Sequence, residues 1–139
     1  MSSPFVLSQT VEYALRATLY IARQGTRAVR IPEIAAEVDA PPGYLSKILG
    51  QLAREGILES TRGRTGGFRL ASTQRRATLG SIIAVFGEPE RRRCLLGHGV
   101  CGRNPDCAVH DKWAPIAQTS SDFFAHTTLA DLVSLTPHP

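Results

Sequence analysis

IPEIAAEVDAPPGYLSKILGQLAREGILESTRGRTGGFRL, running from Ile31 to Leu70, is the stretch that decides the fold. Its first part places Ile34, Ala35 and Val38 at helical spacing. Pro32 suits the first turn of that helix, where its missing N–H would have no partner anyway. Ala40-Pro41-Pro42-Gly43 then forces a break. Leu45, Ile48, Leu49 and Leu52 form the inward stripe of a second helix, from about Gly43 to Glu55. Helix, short turn, helix is the pattern of a helix-turn-helix module, whose second member lies in the major groove of DNA. After Gly56 the period changes. Ile57 to Thr61 and Phe68 to Leu70 read as short strands around the Gly-rich turn Arg62-Gly63-Arg64-Thr65-Gly66-Gly67. A hairpin directly behind a helix-turn-helix is a wing.

Working outward, residues 9–23 place Val11, Leu15, Thr18, Leu19 and Ala22 at helical spacing and stop near Gly25, which predicts an amphipathic helix. Downstream, residues 72–77 are a polar linker. Leu79, Ile82, Ile83 and Phe86 mark a further helix, capped by Thr78 and closed by Gly87. The segment from Cys94 to Cys107 is too rich in Gly, Asn and Pro for a regular element. A last apolar stripe follows: Trp113, Ile116, Ala117, Ser120, Phe123 and Phe124. It carries more large apolar surface than so small a chain covers by itself, and a dimer interface is its natural use. Pro115 leaves two options, a helix beginning near Trp113 or one kinked at the proline.

The 139 residues suit one compact domain with an added dimerisation element. Apolar residues make up 42% of the chain, and no apolar run approaches the roughly 18 residues of a membrane span. The early apolar stretch from Val11 to Ala22 carries Glu12 and Arg16 and does not read as a secretory signal, so the expected location is cytoplasmic. A net charge of +4 is only mildly basic, so the placement of the charges matters more than their sum. All the basic residues except Lys47 and Lys112 are arginines, the side chain suited to bidentate contact with phosphates and guanine edges. On the second helix of the motif, Tyr44, Ser46, Lys47 and Gln51 are left outside the apolar stripe and are candidate DNA contacts. Arg62 and Arg64 sit at the wing tip, where guanidinium groups meet the strong negative potential of a narrow groove, and Arg69 follows on the second strand. No nucleophile-base pair and no phosphate-binding loop is present, which argues against an enzyme.

The three cysteines, Cys94, Cys101 and Cys107, are separated by six and five residues. An odd number gathered in one segment argues against a structural disulfide framework. Soft thiolates on one loop suit an iron-sulfur cluster or zinc, and a metal-free thiol switch is the third reading. Arg91, Arg92 and Arg93 precede Cys94 and favour its thiolate by their positive charge. If the segment is helical, Cys107 and His110 share one face and can share one centre.

These segments together resemble the Rrf2 family of winged-helix regulators. The likeness is carried by Leu7-Ser8 with Tyr13-Ala14-Leu15, Ile31-Pro32-Glu33-Ile34-Ala35, Tyr44-Leu45-Ser46-Lys47-Ile48-Leu49, Leu52 to Gly56, Ser60-Thr61-Arg62-Gly63, Gly66-Gly67-Phe68-Arg69-Leu70-Ala71 and the cysteines. The resemblance implies a mainly α fold with a small β wing: a winged helix-turn-helix domain over residues 1–77, then a cluster-binding loop and dimerisation helices over 78–139. It implies a homodimer on double-stranded DNA carrying a pseudo-palindromic operator. It further implies a 2Fe-2S cluster, with 4Fe-4S as the alternative, held by the three cysteines and changing DNA affinity. His110 matches the histidine that completes the site in one branch of the family. Glu12 matches an acidic position on the first helix that, in another branch, reaches the partner subunit's cluster. Val6 and Ser72 stand where the family often has basic residues, so two phosphate contacts are expected to be missing here, with a softer salt dependence of binding.

Overall fold

The computed structural model describes residues 8–87, 95–96 and 107–135. Cys94, Cys101, Arg91 to Arg93 and Val6 therefore lie outside the described residues.

The first helix, α1 (Gln9–Arg23), starts at Ser8, whose Oγ accepts the Val11 N–H at 3.3 Å. Such a cap satisfies one of the N–H groups that an α-helix leaves open at its start. Its buried face is Val11, Ala14, Ala17, Thr18 and Ile21, whereas Leu15, Leu19 and Ala22 are half-buried. This corrects the stripe expected from spacing. Apolar residues surround much of this helix, and the alanines, being small, let neighbouring elements approach most closely on their side. Thr18 is buried, and its hydroxyl donates to the Ala14 carbonyl at 2.6 Å, so its burial strands no polar group.

The helix-turn-helix is α2 (Ile31–Val38) and α3 (Pro42–Arg54). Asp39 closes α2 in the left-handed region, at φ 53°. The helices bury the residues expected of them: Ile34, Ala35 and Val38 on α2, and Leu45, Ile48, Leu49 and Leu52 on α3. Each fully buried leucine contributes roughly 1.5–3 kcal/mol relative to an exposed one. The wing strands β1 (Leu58–Thr61) and β2 (Gly67–Leu70) pair antiparallel, with Leu58 opposite Leu70 and Glu59 opposite Arg69. A single residue upstream of α2 widens this sheet, because Val29 and Phe68 exchange backbone hydrogen bonds of 2.7 and 2.8 Å. Gly67 makes that approach possible. Its φ is +143°, and a Cβ there would lie 2.4 Å from the Val29 carbonyl oxygen.

Beyond the wing, Ser72–Gln74 forms a 3-10 turn and α4 (Leu79–Val85) follows, capped by Thr78 through a 3.1 Å bond from the Ser81 N–H. Gly87 stands just past its end at φ +76°, as the sequence implies. Helix α5 (His110–His126) runs through Pro115, so it starts three residues before Trp113 rather than at it. A sixth helix, α6 (Leu129–Val133), was not anticipated, although Thr128 and Asp131 form a capping box. It docks back on the first domain: Thr127 accepts from the Leu79 N–H at 2.9 Å, and Leu129 donates to Ala77 at 2.9 Å. Leu79 and Ile82 of α4 and Leu129 of α6 join the same core as α1, α2 and α3. Among the described residues no helix is long and apolar enough to cross a membrane.

Candidate nucleic-acid interface and metal centre

Helix α3 buries one face against α1, α2 and the wing strand β1 and leaves the other in solvent. Ser46 and Lys47 are exposed on that open face. Tyr44, 39% exposed, is held from behind. Its hydroxyl shares a short hydrogen bond with the Thr10 hydroxyl, and its ring meets the Tyr13 ring edge-on, with centroids 5.8 Å apart and planes at 75°. The aromatic side chain is thus fixed on α1 while part of it faces solvent. Arg62 and Arg64 are exposed at the wing tip.

Two candidates sit in different surroundings. Gln51 is half-buried, and its side-chain amide donates to the Val85 carbonyl at 3.0 Å, which ties α3 to the end of α4. Arg69 forms an ion pair with Glu59, its cross-strand neighbour, at 2.9 Å. Among the described residues the other ion pairs are Arg16 with Glu12 at 3.8 Å and Arg27 with Glu33 at 2.7 Å. Lys47, Arg62 and Arg64 are exposed and belong to none of these pairs, so α3 and the wing tip each carry positive charge outside them. That is the distribution a duplex requires, and it decides more than the modest net charge does.

Sequence reasoning missed Arg30. Its guanidinium donates to the Gly63 carbonyl at 3.0 Å and, through a short bond, to the Arg64 carbonyl. The missed signal was the residue type itself. Arg30 occupies the N-cap of α2, where Ser, Thr, Asp or Asn is usual, and it makes no capping bond there.

Of the expected metal ligands, the structure describes Cys107, His110 and Glu12. Cys107 and His110 are both half-buried and lie in one turn, the His110 N–H donating to the Cys107 carbonyl at 3.2 Å. That turn opens α5 and places a thiol and an imidazole within one helical turn of each other. Glu12, in the first turn of α1, directs its carboxylate to Arg16. A thiol and an imidazole held together fit an iron-sulfur cluster or zinc by donor chemistry.

The comparisons with known proteins agree with this architecture. Residues 7–135 match the Rrf2 family, described as "Iron-dependent Transcriptional regulator". A protein of Aquifex aeolicus (strain VF5), described as an HTH-type transcriptional regulator, is 36% identical over 133 residues, covering 94% of this chain and 92% of its own. The HTH-type transcriptional regulator IscR of Vibrio vulnificus (strain YJ016) is 27% identical over 129 residues, covering 92% of this chain and 77% of its own. Among solved structures, CymR, the global cysteine regulator of B. subtilis, superposes with a TM-score of 0.76 at 26% identity, covering 94% of this chain and 98% of its own. Helix-turn-helix, wing, exposed basic face and these likenesses converge: the chain belongs to the Rrf2 family and is a DNA-binding transcription regulator, not an enzyme.

Proposed function

We propose that this regulator works as a homodimer whose grip on DNA is set by an iron-sulfur cluster held by Cys94, Cys101 and Cys107, with His110 as the fourth ligand. The observation that carries the reading is a continuous path from thiol to recognition helix. Cys107 and His110 open α5, α5 packs on α4, and the last carbonyl of α4 is bonded by Gln51 of α3. When bound, the cluster supplies a centre that redox change, nitric oxide or iron shortage alters or removes. The residues of the chain do the rest. Cys107 and His110 fix the start of α5, Gln51 holds α3 against α4, and Lys47, Ser46 and Tyr44 face the major groove. Arg62 and Arg64 enter the adjacent minor groove. Two subunits present two recognition helices, which must meet major grooves about one turn, roughly 34 Å, apart on a pseudo-palindromic duplex. The pairing surface is α5, whose Ile116 and Phe123 are 47% and 50% exposed.

Anaerobic purification followed by absorption, iron and sulfide analysis and native mass spectrometry tests this reading. A coloured dimer with iron and sulfide, and with a DNA affinity that changes on cluster removal, is the expected result. Equal affinity with and without the cluster ends the sensing role and leaves the DNA-binding one. A colourless protein holding zinc assigns the thiols a structural metal. A metal-free protein whose affinity follows oxidant-dependent disulfide formation makes them a thiol switch.

A further inference from the structure

We infer that Arg30 is a positioning residue for the wing: it holds the tip loop in the shape that aims Arg62 and Arg64 at DNA. The inference deepens the reading of the wing as a DNA contact and rests on it. Three observations lead there. A hairpin of four-residue strands is a small support for a charged loop, and isolated hairpins of this size are marginally stable in water. The loop between the strands closes on itself through a single backbone bond, from the Gly66 N–H to the Gly63 carbonyl at 3.0 Å. The Arg30 guanidinium then reaches the carbonyl of Gly63, which lies between the two tip arginines, and that of Arg64 itself.

The reach is set by the backbone. Val29 bridges Phe68, so the chain entering α2 runs beside the second wing strand, and the next residue along it is Arg30. Both bonds come from one terminal nitrogen, Nη2, which lies one bond further from Cα than a lysine Nζ, so the length of the arginine side chain is what the contact uses. The N-cap of α2 is left without the side-chain partner that a serine or aspartate there would supply. A sequence tuned for helix stability alone would place such a cap at position 30. With the two carbonyls held by Arg30, the side chains of Arg62 and Arg64 remain exposed. Arg30 itself adds a third positive charge behind the tip.

The test uses the full-length protein and a duplex recovered by selection from random sequence on the wild type. Arg30→Lys, Arg30→Met, Arg62→Ala with Arg64→Ala, and the triple variant Arg30→Met/Arg62→Ala/Arg64→Ala are compared by fluorescence anisotropy. Arg30→Lys and Arg30→Met are each expected to weaken binding about ten-fold, with unchanged helix content. The charge-preserving lysine should fail nearly as badly as methionine, since the reach to the two carbonyls is what is lost. The triple variant is expected to bind like the double. Hydrogen exchange at the Gly66 amide should speed up in Arg30→Met, a readout that a mere charge loss would not move. Wild-type affinity in Arg30→Lys overturns the inference, and so does full additivity of Arg30→Met with the double variant, which would make Arg30 an independent phosphate contact. Wild-type affinity in the Arg62→Ala/Arg64→Ala variant would overturn the wing reading and the inference with it.

Discussion

On α3, Leu45, Leu49 and Leu52 are wholly buried and Ile48 is 3% exposed. On the longer α5, Trp113 and Ala117 are buried while Ile116 and Phe123 stand about half in solvent. Both helices carry an apolar stripe. The first finds its partners inside the chain, in α1, α2 and α4, and the second splits. Trp113 packs with Ala117, Val109 and Ala114 in a small cluster of its own, Phe124 leans on the main core, and Ile116 with Phe123 faces outward. The difference teaches that the DNA-reading half closes its apolar stripe within the chain, whereas among the described residues nothing covers Ile116 and Phe123 of α5. A second subunit is what the proposed function places there.

The largest effect that would break this contrast is in the core. Leu49→Ala is expected to cost about 2–5 kcal/mol, measured by chemical denaturation, because the space around a wholly buried leucine collapses only in part. Ile116→Ser should leave the stability of the single subunit within about 0.5 kcal/mol and instead shift sedimentation from dimer toward monomer. Equal losses of stability in the two variants would mean that α5 is core like α3, and the contrast would fail. Next in size is Gly67→Ala. It forces a side chain into a left-handed conformation against the Val29 carbonyl, and is expected to cost about 2–3 kcal/mol in thermal unfolding and to loosen the wing.

A smaller and sharper test is Gln51→Ala. The lost bond to Val85 is worth about 1 kcal/mol of stability. If the two halves communicate through it, the variant should also narrow the difference in DNA affinity between cluster-loaded and cluster-free protein. An unchanged difference would leave Gln51 as structural cement only. The smallest effect is electrostatic and belongs to the reading half. The Arg27 guanidinium and the Tyr20 hydroxyl, both bonded to the Glu33 carboxylate, lower its pKa from 4.5 to about 2. The folded state thus holds this proton more weakly than the unfolded chain does. The stabilising contribution is fully present above the ordinary carboxylate pKa and is lost as pH falls toward 2. The difference in denaturation midpoint between wild type and Glu33→Gln should shrink steadily from pH 5 to pH 2. A constant difference would show that the link between α1 and α2 is not ionic.

The reading half was legible in the sequence because its signals are local. A forced break between two apolar stripes and a Gly-rich turn each specify a backbone conformation within a few residues. The inward faces of α2 and α3 followed, because each helix has one clear stripe. The face of α1 did not follow, since apolar residues on several sides let spacing point to Leu15 and Leu19 while the fit of neighbours selected Ala14 and Ala17. Gln51 looked exposed on α3 because its partner, the Val85 carbonyl, is 34 residues away. Arg30 was invisible for the same reason, its partners lying in the wing. In the candidate metal centre, the adjacency of Cys107 and His110 was legible as a three-residue spacing. How Cys94 and Cys101 approach them lies outside the described residues.

Helix α6 has a mechanical consequence. By fastening residues 127–129 to the backbone at Ala77 and Leu79, it pins one end of α5, while the cysteine-bearing turn sits at the other. The helix between the two is a rod of seventeen residues, roughly 25 Å long at 1.5 Å per residue. At that length a tilt of about 5° about the pinned end corresponds to about 2 Å at the far tip.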